Sequence, residues 1–205
     1  MKMNLKKWDP KSKQAKEAYK YFKESMDFYD RKLIRNWLNS GQIEILAVIY
    51  EFSYKKEIYE KIVPPLTFID YYKLITKYFS LCFEKNHKDD YWIHSRYSAG
   101  RDLVGWFVNL WDDKHTSKKY LKSMKDWMAN LYKKGDGELK ECLITATLEH
   151  LFEDKKIIKY FSDWRKDPEL KIAFQTAKEW CEIGESNPEK ISILEEIFRK
   201  KAKNK

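Results

Sequence analysis

The segment from Asp90 to Asp113 constrains the fold of this chain more than any other. It holds three of the eight tryptophans, and no proline interrupts it. At helical spacing its residues form two adjacent, mostly apolar stripes, which are Trp92, Arg96, Ala99, Leu103, Trp106 and Leu110, and Ile93, Tyr97, Gly100, Val104, Phe107 and Trp111. Two adjacent stripes predict a helix over residues 90–112 that is buried around more than half of its circumference.

Arg96 is the charged member of these stripes, and a buried guanidinium needs a carboxylate or other acceptors. Glu149 lies in a second predicted helix, residues 137–153, on a stripe shared with Cys142 and Phe152. We therefore predict that Arg96 is buried and paired with Glu149. A pair that only fixes the helix register is one interpretation, and a functional site is the other.

The functional interpretation is a polar pocket between helices 90–112 and 137–153. Its candidate residues are His94, Arg96, Arg101, Glu149 and His150. Glu149 would act as general base and an arginine would hold an anion, which is the composition of a small enzyme. No histidine or cysteine pair has the spacing of metal ligands, so we expect no metal and no cofactor.

Glycine and proline together number only eleven among 205 residues, which disfavours a turn-rich all-β fold. The apolar periodicity instead predicts an all-α protein, a compact bundle of eight or nine helices in a single domain over residues 1–205. Stacked antiparallel helix pairs, as in HEAT repeats, are an alternative arrangement, and residues 134–137 are a candidate hinge. The predicted helices are 10–39 (with one break allowed), 42–62, 66–86, 90–112, 117–134, 137–153, 154–165, 168–184 and 188–202.

Capping signals support several of these boundaries. Asp9-Pro10, Asp167-Pro168 and Asn187-Pro188 each place a capping side chain before a proline that suits the first helical turn. Gly41 suits a helix end near residue 39. Residues 43–52, IEILAVIYEF, compete as a strand, but their length and neighbours favour a buried helix.

Three dispersed cysteines, Cys82, Cys142 and Cys181, indicate reduced thiols in apolar helices. The chain has no apolar run long enough for a secretory signal or a membrane span. The expected location is therefore the cytoplasm, and no membrane partner is expected.

The net charge is +9, but only six of the 41 basic residues are arginines. Lysines spread along every segment are typical of a solvated surface, whereas base recognition usually relies on arginine. An acidic protein is thus the expected partner, and nucleic acid bound through the lysine-rich surface is the second alternative.

Aromatic residues occur on more than one face of the first predicted helix. Tyr19, Phe22, Tyr29 and Trp37 are candidates for an exposed interaction surface, because exposed aromatics beside lysine are typical of binding hot spots. Packing of all four into the core is the alternative.

Two segments, HSRYSAGRDLVGWFVNLWDD from His94 and TATLEHLFEDKKIIKYFSDWRKDPEL from Thr145, resemble small helical bacterial proteins encoded beside toxin or defence genes. The resemblance implies a binding role, such as a toxin-neutralising immunity protein, and carries over no functional residue. With no recognisable catalytic motif in the chain, a cytosolic protein–protein interaction module is the favoured function, and the oligomeric state is left open.

Overall fold

The computed structural model describes residues 9–24, 26–85, 94–114 and 117–186. Of these residues, 79% are helical and 2% lie in strands, so the predicted all-α class is confirmed. In chain order the elements are α1 (Lys13–Lys23), β1 (Tyr29–Asp30), α2 (Arg31–Asn39), α3 (Ile43–Ser53), α4 (Lys56–Tyr59), β2 (Ile62–Val63), α5 (Phe68–Lys85), α6 (Arg96–Asp112), α7 (Lys118–Lys134), α8 (Gly137–Leu143), a π-helical turn (Ile144–Leu148), α9 (Glu149–Leu151), α10 (Lys155–Tyr160), a 3₁₀ turn (Ser162–Lys166) and α11 (Pro168–Ser186). The predicted helix 188–202 lies outside the described residues.

Close contacts group the chain into two compact units, residues 1–99 and 100–205, which we call unit 1 and unit 2. The boundary falls inside the continuous helix α6, and the candidate hinge at 134–137 lies within unit 2. The chain does break there, between α7 and α8, where Asp136 accepts a hydrogen bond from the Leu139 amide at 2.8 Å. A single domain and HEAT-like stacking stay predictions.

Helix α3 is the core of unit 1. Ile45 to Ile49 are all buried along it, and it packs against α1, α2 and α5. The helical interpretation of residues 43–52 is thereby confirmed. The prediction that this helix continues to residue 62 is wrong, because it ends at Ser53 and the chain then forms α4 and β2.

The strand β2 pairs in parallel with β1, Tyr29 opposite Ile62 and Asp30 opposite Val63. This pairing satisfies backbone groups that a longer helix would have satisfied internally. The strand β1 lies between α1 and α2, so the break allowed within residues 10–39 is present.

A carboxylate on α3 holds the start of α1. Glu44 accepts hydrogen bonds from the backbone amides of Lys11 at 3.0 Å and Ser12 at 2.8 Å. Burial alone raises the pKa of Glu44, but the bonds from Ser12 and Lys11 outweigh it and lower the pKa below its ordinary value. The Ser12 side chain caps α1, so the start predicted at Asp9-Pro10 lies slightly too early.

Helix α11 is the core of unit 2. Leu170, Ala173 and Ala177 are buried along it, and it packs against α7, α9, the π-helical turn and the 3₁₀ turn. Asp167 caps it through the amides of Glu169 and Leu170, both at 3.1 Å, as the Asp-Pro signal predicts. Fully buried Phe161 forms the centre of an aromatic cluster with Phe107, Phe152 and Trp164, at ring-centroid distances of 5.6, 5.7 and 5.0 Å.

Candidate functional site

Two of the five predicted pocket residues lie in unit 1 and are buried, His94 with 6% and Arg96 with 4% of its surface exposed. Arg96 Nε donates a hydrogen bond to the backbone oxygen of Phe83 at 2.7 Å, and His94 Nδ1 lies 3.2 Å from the Tyr78 hydroxyl. The predicted burial of Arg96 is confirmed. Its pairing with Glu149, which belongs to unit 2, stays a prediction.

The other three pocket residues lie in unit 2. Arg101 is exposed and Glu149 is half-buried, while the His150 side chain is 39% exposed with Nδ1 3.2 Å from Glu153 Oε1. Unit 2 therefore holds His150 beside an acidic side chain at the surface. A pocket that joins all five residues, and the enzyme activity that depends on it, stays a prediction.

A π-helical turn precedes Glu149 directly, and such turns occur frequently at functional sites. Here the turn carries Thr147, which is fully buried and donates a hydrogen bond to the Gly100 oxygen at 3.0 Å. A Cβ atom on Gly100 would lie 2.9 Å from the Ala146 Cβ and 3.0 Å from the Thr147 Oγ1. Close packing explains Gly100 and the adjacent turn, and no ligand is needed to account for them.

The predicted aromatic surface of the first helix is largely core. Only 2% of the surface of Phe22 and 1% of that of Tyr29 is exposed. These two residues cannot contact a partner in this conformation, so the prediction is wrong for them. Tyr19 and Trp37 are half-buried. The Phe22 ring lies 6.0 Å from that of Trp37 and 5.5 Å from that of Phe52. The alternative of core packing fits these contacts, because each ring is covered by other rings.

A different set of aromatic residues is exposed on unit 1. We call it the aromatic face, and it consists of Tyr54, Tyr59, Phe68, Tyr71 and Tyr72. Tyr54, Tyr59 and Phe68 are 38%, 43% and 37% exposed, and Tyr71 and Tyr72 are half-buried. The Tyr54 ring lies 5.4 Å from Tyr71, and the Phe68 ring lies 6.0 Å from Tyr72. Phe68, Tyr71 and Tyr72 share one side of α5, since residues three and four apart are neighbours on a helix.

Tyr71 fixes the aromatic face to the core. Its hydroxyl donates a hydrogen bond to the Ser53 backbone oxygen at 3.0 Å. Burial, followed by the neighbouring Tyr59 and Asp70, raises the pKa of Tyr71 to about 12. The hydroxyl therefore stays protonated at neutral pH and keeps its hydrogen bond.

A buried carboxylate holds the start of α5, the helix that carries Phe68, Tyr71 and Tyr72. Asp70, whose side chain is only 5% exposed, accepts from Arg35 Nε at 2.8 Å and lies 3.2 Å from Arg31. It also accepts from the backbone amide and the hydroxyl of Thr67, both at 2.8 Å, while Thr67 Oγ1 accepts from the Asp70 amide at 3.3 Å. This reciprocal pair is a capping box that begins α5. Through its bonds to Arg31 and Arg35, Asp70 joins α2 to the first turn of α5, which contains Phe68.

Sequence reasoning missed the aromatic face, although one part of it left a recognisable pattern. Thr67-Phe68-Ile69-Asp70 has the spacing of a capping box, which places Phe68 in an exposed first turn. Tyr54 and Tyr59 left no such pattern, because they lie at the ends of α3 and α4 and belong to no apolar stripe.

In the part of the chain that the structure describes, no three histidine, cysteine, aspartate or glutamate side chains gather as metal ligands would. Within the same residues, no helix is both long enough and apolar enough to cross a bilayer. The three cysteines are buried thiols outside any disulfide. Comparison of the chain with protein-family models, with curated proteins and with solved structures gives no match.

Proposed function

We propose that this protein is an interaction module that binds another protein through the aromatic face. The observation that carries the proposal is the exposure of Tyr54, Tyr59 and Phe68 beside the half-buried rings of Tyr71 and Tyr72. Tyrosine and phenylalanine are enriched at protein interfaces, because each offers a large contact area and loses little conformational freedom on binding.

The rigid support strengthens the proposal. The Tyr71 hydroxyl donates a hydrogen bond to the backbone of α3, and Asp70 joins α2 to the first turn of α5. A surface that is already ordered loses less entropy when it binds, so more of its contact energy appears as affinity. Isolated exposed apolar residues are ordinary, whereas a supported group of aromatic side chains is typical of a hot spot.

The resemblance of the two segments to proteins encoded beside toxin genes suggests the kind of partner. We propose a cytoplasmic role in a bacterial cell, in which the protein neutralises a toxin by binding it. An acidic toxin surface would suit the net charge of +9. The expected complex is stoichiometric and inhibits the toxin's activity.

The test compares two double variants of the full chain in binding to the partner retained by the wild type. Tyr59→Ser with Phe68→Ser removes two members of the aromatic face. Phe28→Ser with Ile172→Ser is the matched control, since these residues are 60% and 59% exposed and lie outside the face. We expect the first variant to weaken binding by about tenfold or more, or about 1.4 kcal/mol.

The control variant should bind as the wild type does, and both variants should keep the wild-type circular dichroism spectrum and melting temperature. Equal losses in the two variants would refute a specific role for the face. Retention of nucleic acid alone, lost steeply as salt is raised, would favour the lysine-rich surface instead.

A further inference from the structure

Unit 2 carries a groove of about 540 Å³ between α10, the 3₁₀ turn and α11. We call it the basic groove, and its main lining residues are Lys155, Lys159, Arg165 and Lys178 around the apolar side chains of Ile158 and Phe174. Ser162 and Gln175 complete the lining, so no acidic side chain of the described residues is part of it. Four cations around an apolar floor form a site for a ligand with both negative charge and apolar surface.

Within the described residues, ion pairs neutralise few of the cations of the groove. Lys178 pairs with Glu182 at 2.9 Å. Lys155 and Lys159 form no ion pair within the described residues, and they stand four residues apart on α10. Like charges at that spacing on a helix repel, which costs a few tenths of a kcal/mol, and an anion bound between them would relieve the repulsion.

Arg165 is already held in position for binding. Its Nε donates a hydrogen bond to the Ser162 backbone oxygen at 3.2 Å, and its guanidinium lies over the Phe174 ring at 5.7 Å. Arginine presents its remaining donors in a planar fork that matches a carboxylate. Because the side chain is fixed at both its Nε and its flat face, binding a carboxylate costs less side-chain entropy.

The floor of the groove favours a peptide over a nucleic acid. Single-stranded nucleic acids bind by stacking bases on exposed aromatic rings. Phe174, the aromatic ring of this groove, is only 4% exposed and lies beneath Arg165. Half-buried Ile158 offers an aliphatic contact, which suits an apolar side chain better than a base.

We infer that the basic groove binds an acidic peptide segment of a partner protein, with carboxylates on Lys155, Lys159 and Arg165 and an apolar side chain on Ile158. Lys155 and Lys159 are about 6 Å apart along the helix axis at 1.5 Å per residue. Alternate residues of an extended peptide have nearly the same spacing, so two glutamates can contact the two lysines together. The inference rests on the proposed protein-binding function but uses a surface separate from the aromatic face.

The test uses fluorescence anisotropy with the full chain and a labelled 12-residue peptide that repeats Glu-Glu-Leu. We expect saturable binding, weakened about tenfold or more when glutamine replaces glutamate, and weakened less when serine replaces leucine. Lys155→Gln, Lys159→Gln and Arg165→Gln together should reduce affinity about tenfold or more, while Arg165→Lys alone, which keeps the charge but loses the planar fork, should weaken binding less than the triple variant does.

The matched control removes three lysines from another concave surface. Lys13, Lys16 and Lys20 line a depression on α1 in unit 1, and their replacement by glutamine changes the net charge by the same amount. This control should bind the peptide as the wild type does. Equal loss in both triple variants, or no saturable binding by the wild type, would overturn the inference.

Two further measurements separate the alternatives. The first measures binding of a labelled 12-nucleotide oligothymidine. If it binds more tightly than the peptide and depends on the same groove lysines, the ligand of the basic groove is a nucleic acid and the inference is overturned. The aromatic-face variant, Tyr59→Ser with Phe68→Ser, should bind the peptide normally. If that variant no longer binds the natural partner but keeps the wild-type affinity for the peptide, the two surfaces act independently.

Discussion

Replacement of Asp70 by asparagine tests the support of the aromatic face. Burial alone raises the pKa of this carboxyl, but hydrogen bonds from Arg35 and Thr67 outweigh burial and lower the pKa from 3.8 to about 2. This difference corresponds to about 2.5 kcal/mol of folding stability at 1.36 kcal/mol per pH unit. Asp70→Asn removes that contribution and leaves two arginines without their carboxylate.

Loss of one partner from a buried ion pair typically costs about 3–5 kcal/mol. Two features reduce the loss here. The Arg35 side chain is 47% exposed and can be solvated, and asparagine keeps an oxygen that can accept from Thr67. We therefore expect Asp70→Asn to lower the free energy of unfolding by about 2–3 kcal/mol at pH 7.

The pH dependence identifies the carboxylate as the cause. Because the folded pKa is lowered, the contribution is complete above the unfolded pKa near 4 and is lost as pH falls toward 2. About half of it should remain at pH 3. The difference between wild type and variant should therefore be constant from pH 7 to about pH 5 and then shrink by about 1 kcal/mol by pH 3. Glu44 also has a lowered pKa, but it is present in both proteins and cancels from the difference.

The assay is urea denaturation followed by circular dichroism at each pH, with hydrogen exchange of α2 and α5 to locate the effect in unit 1. Asp27→Asn is the matched control, because Asp27 is exposed and should produce no comparable change. A difference below about 1 kcal/mol at pH 7, or one that stays constant down to pH 3, would refute the role assigned to the ion pairs.

Four further substitutions test packing and polar burial, each by urea denaturation. Gly100→Ala should destabilise by about 1–3 kcal/mol because its Cβ would overlap neighbouring side chains, whereas Gly105→Ala, with open space around it, should stabilise by up to about 1 kcal/mol; equal effects would contradict the close-packing interpretation. Lys125→Met should cost about 1–3 kcal/mol, since the buried ammonium bonds the Tyr160 oxygen at 2.8 Å; an unchanged midpoint would show that this bond is not needed. Ser53→Ala should be neutral or stabilising by up to about 1 kcal/mol, because the fully buried hydroxyl has no hydrogen-bond partner among the described residues; clear destabilisation would indicate a bound water there.

The helical class and the burial of residues along the helix at 96–112 could be predicted because burial leaves a periodic pattern. Leu103 and Phe107 are fully buried, as their stripes indicated. The same pattern identified Arg96 as a buried charge. It could not identify the Phe83 backbone oxygen as the acceptor, since every residue has a backbone carbonyl and the sequence does not distinguish one from another.

The first helix shows the limit of composition as a guide. Aromatic residues on several faces fit an exposed surface and an aromatic core equally well. The outcome depends on β1, which returns the chain so that Tyr29 meets Phe22 at a ring distance of 5.7 Å. Two-residue strands have no usable sequence pattern, so the pairing that buries these rings could not be foreseen.

The two candidate binding surfaces differ in how the sequence encodes them, and the physical reason is the range of the contacts that form each one. The cations and the aliphatic floor of the basic groove come partly from one short segment, since Lys155, Ile158 and Lys159 occupy a single turn of α10. Helical spacing alone brings them together. The aromatic face instead needs α3, α4 and α5 in their folded arrangement before Tyr54, Tyr59 and Tyr71 become neighbours. A surface built from separate elements is therefore visible only when the tertiary contacts are known, even though each of its residues is conspicuous in the sequence.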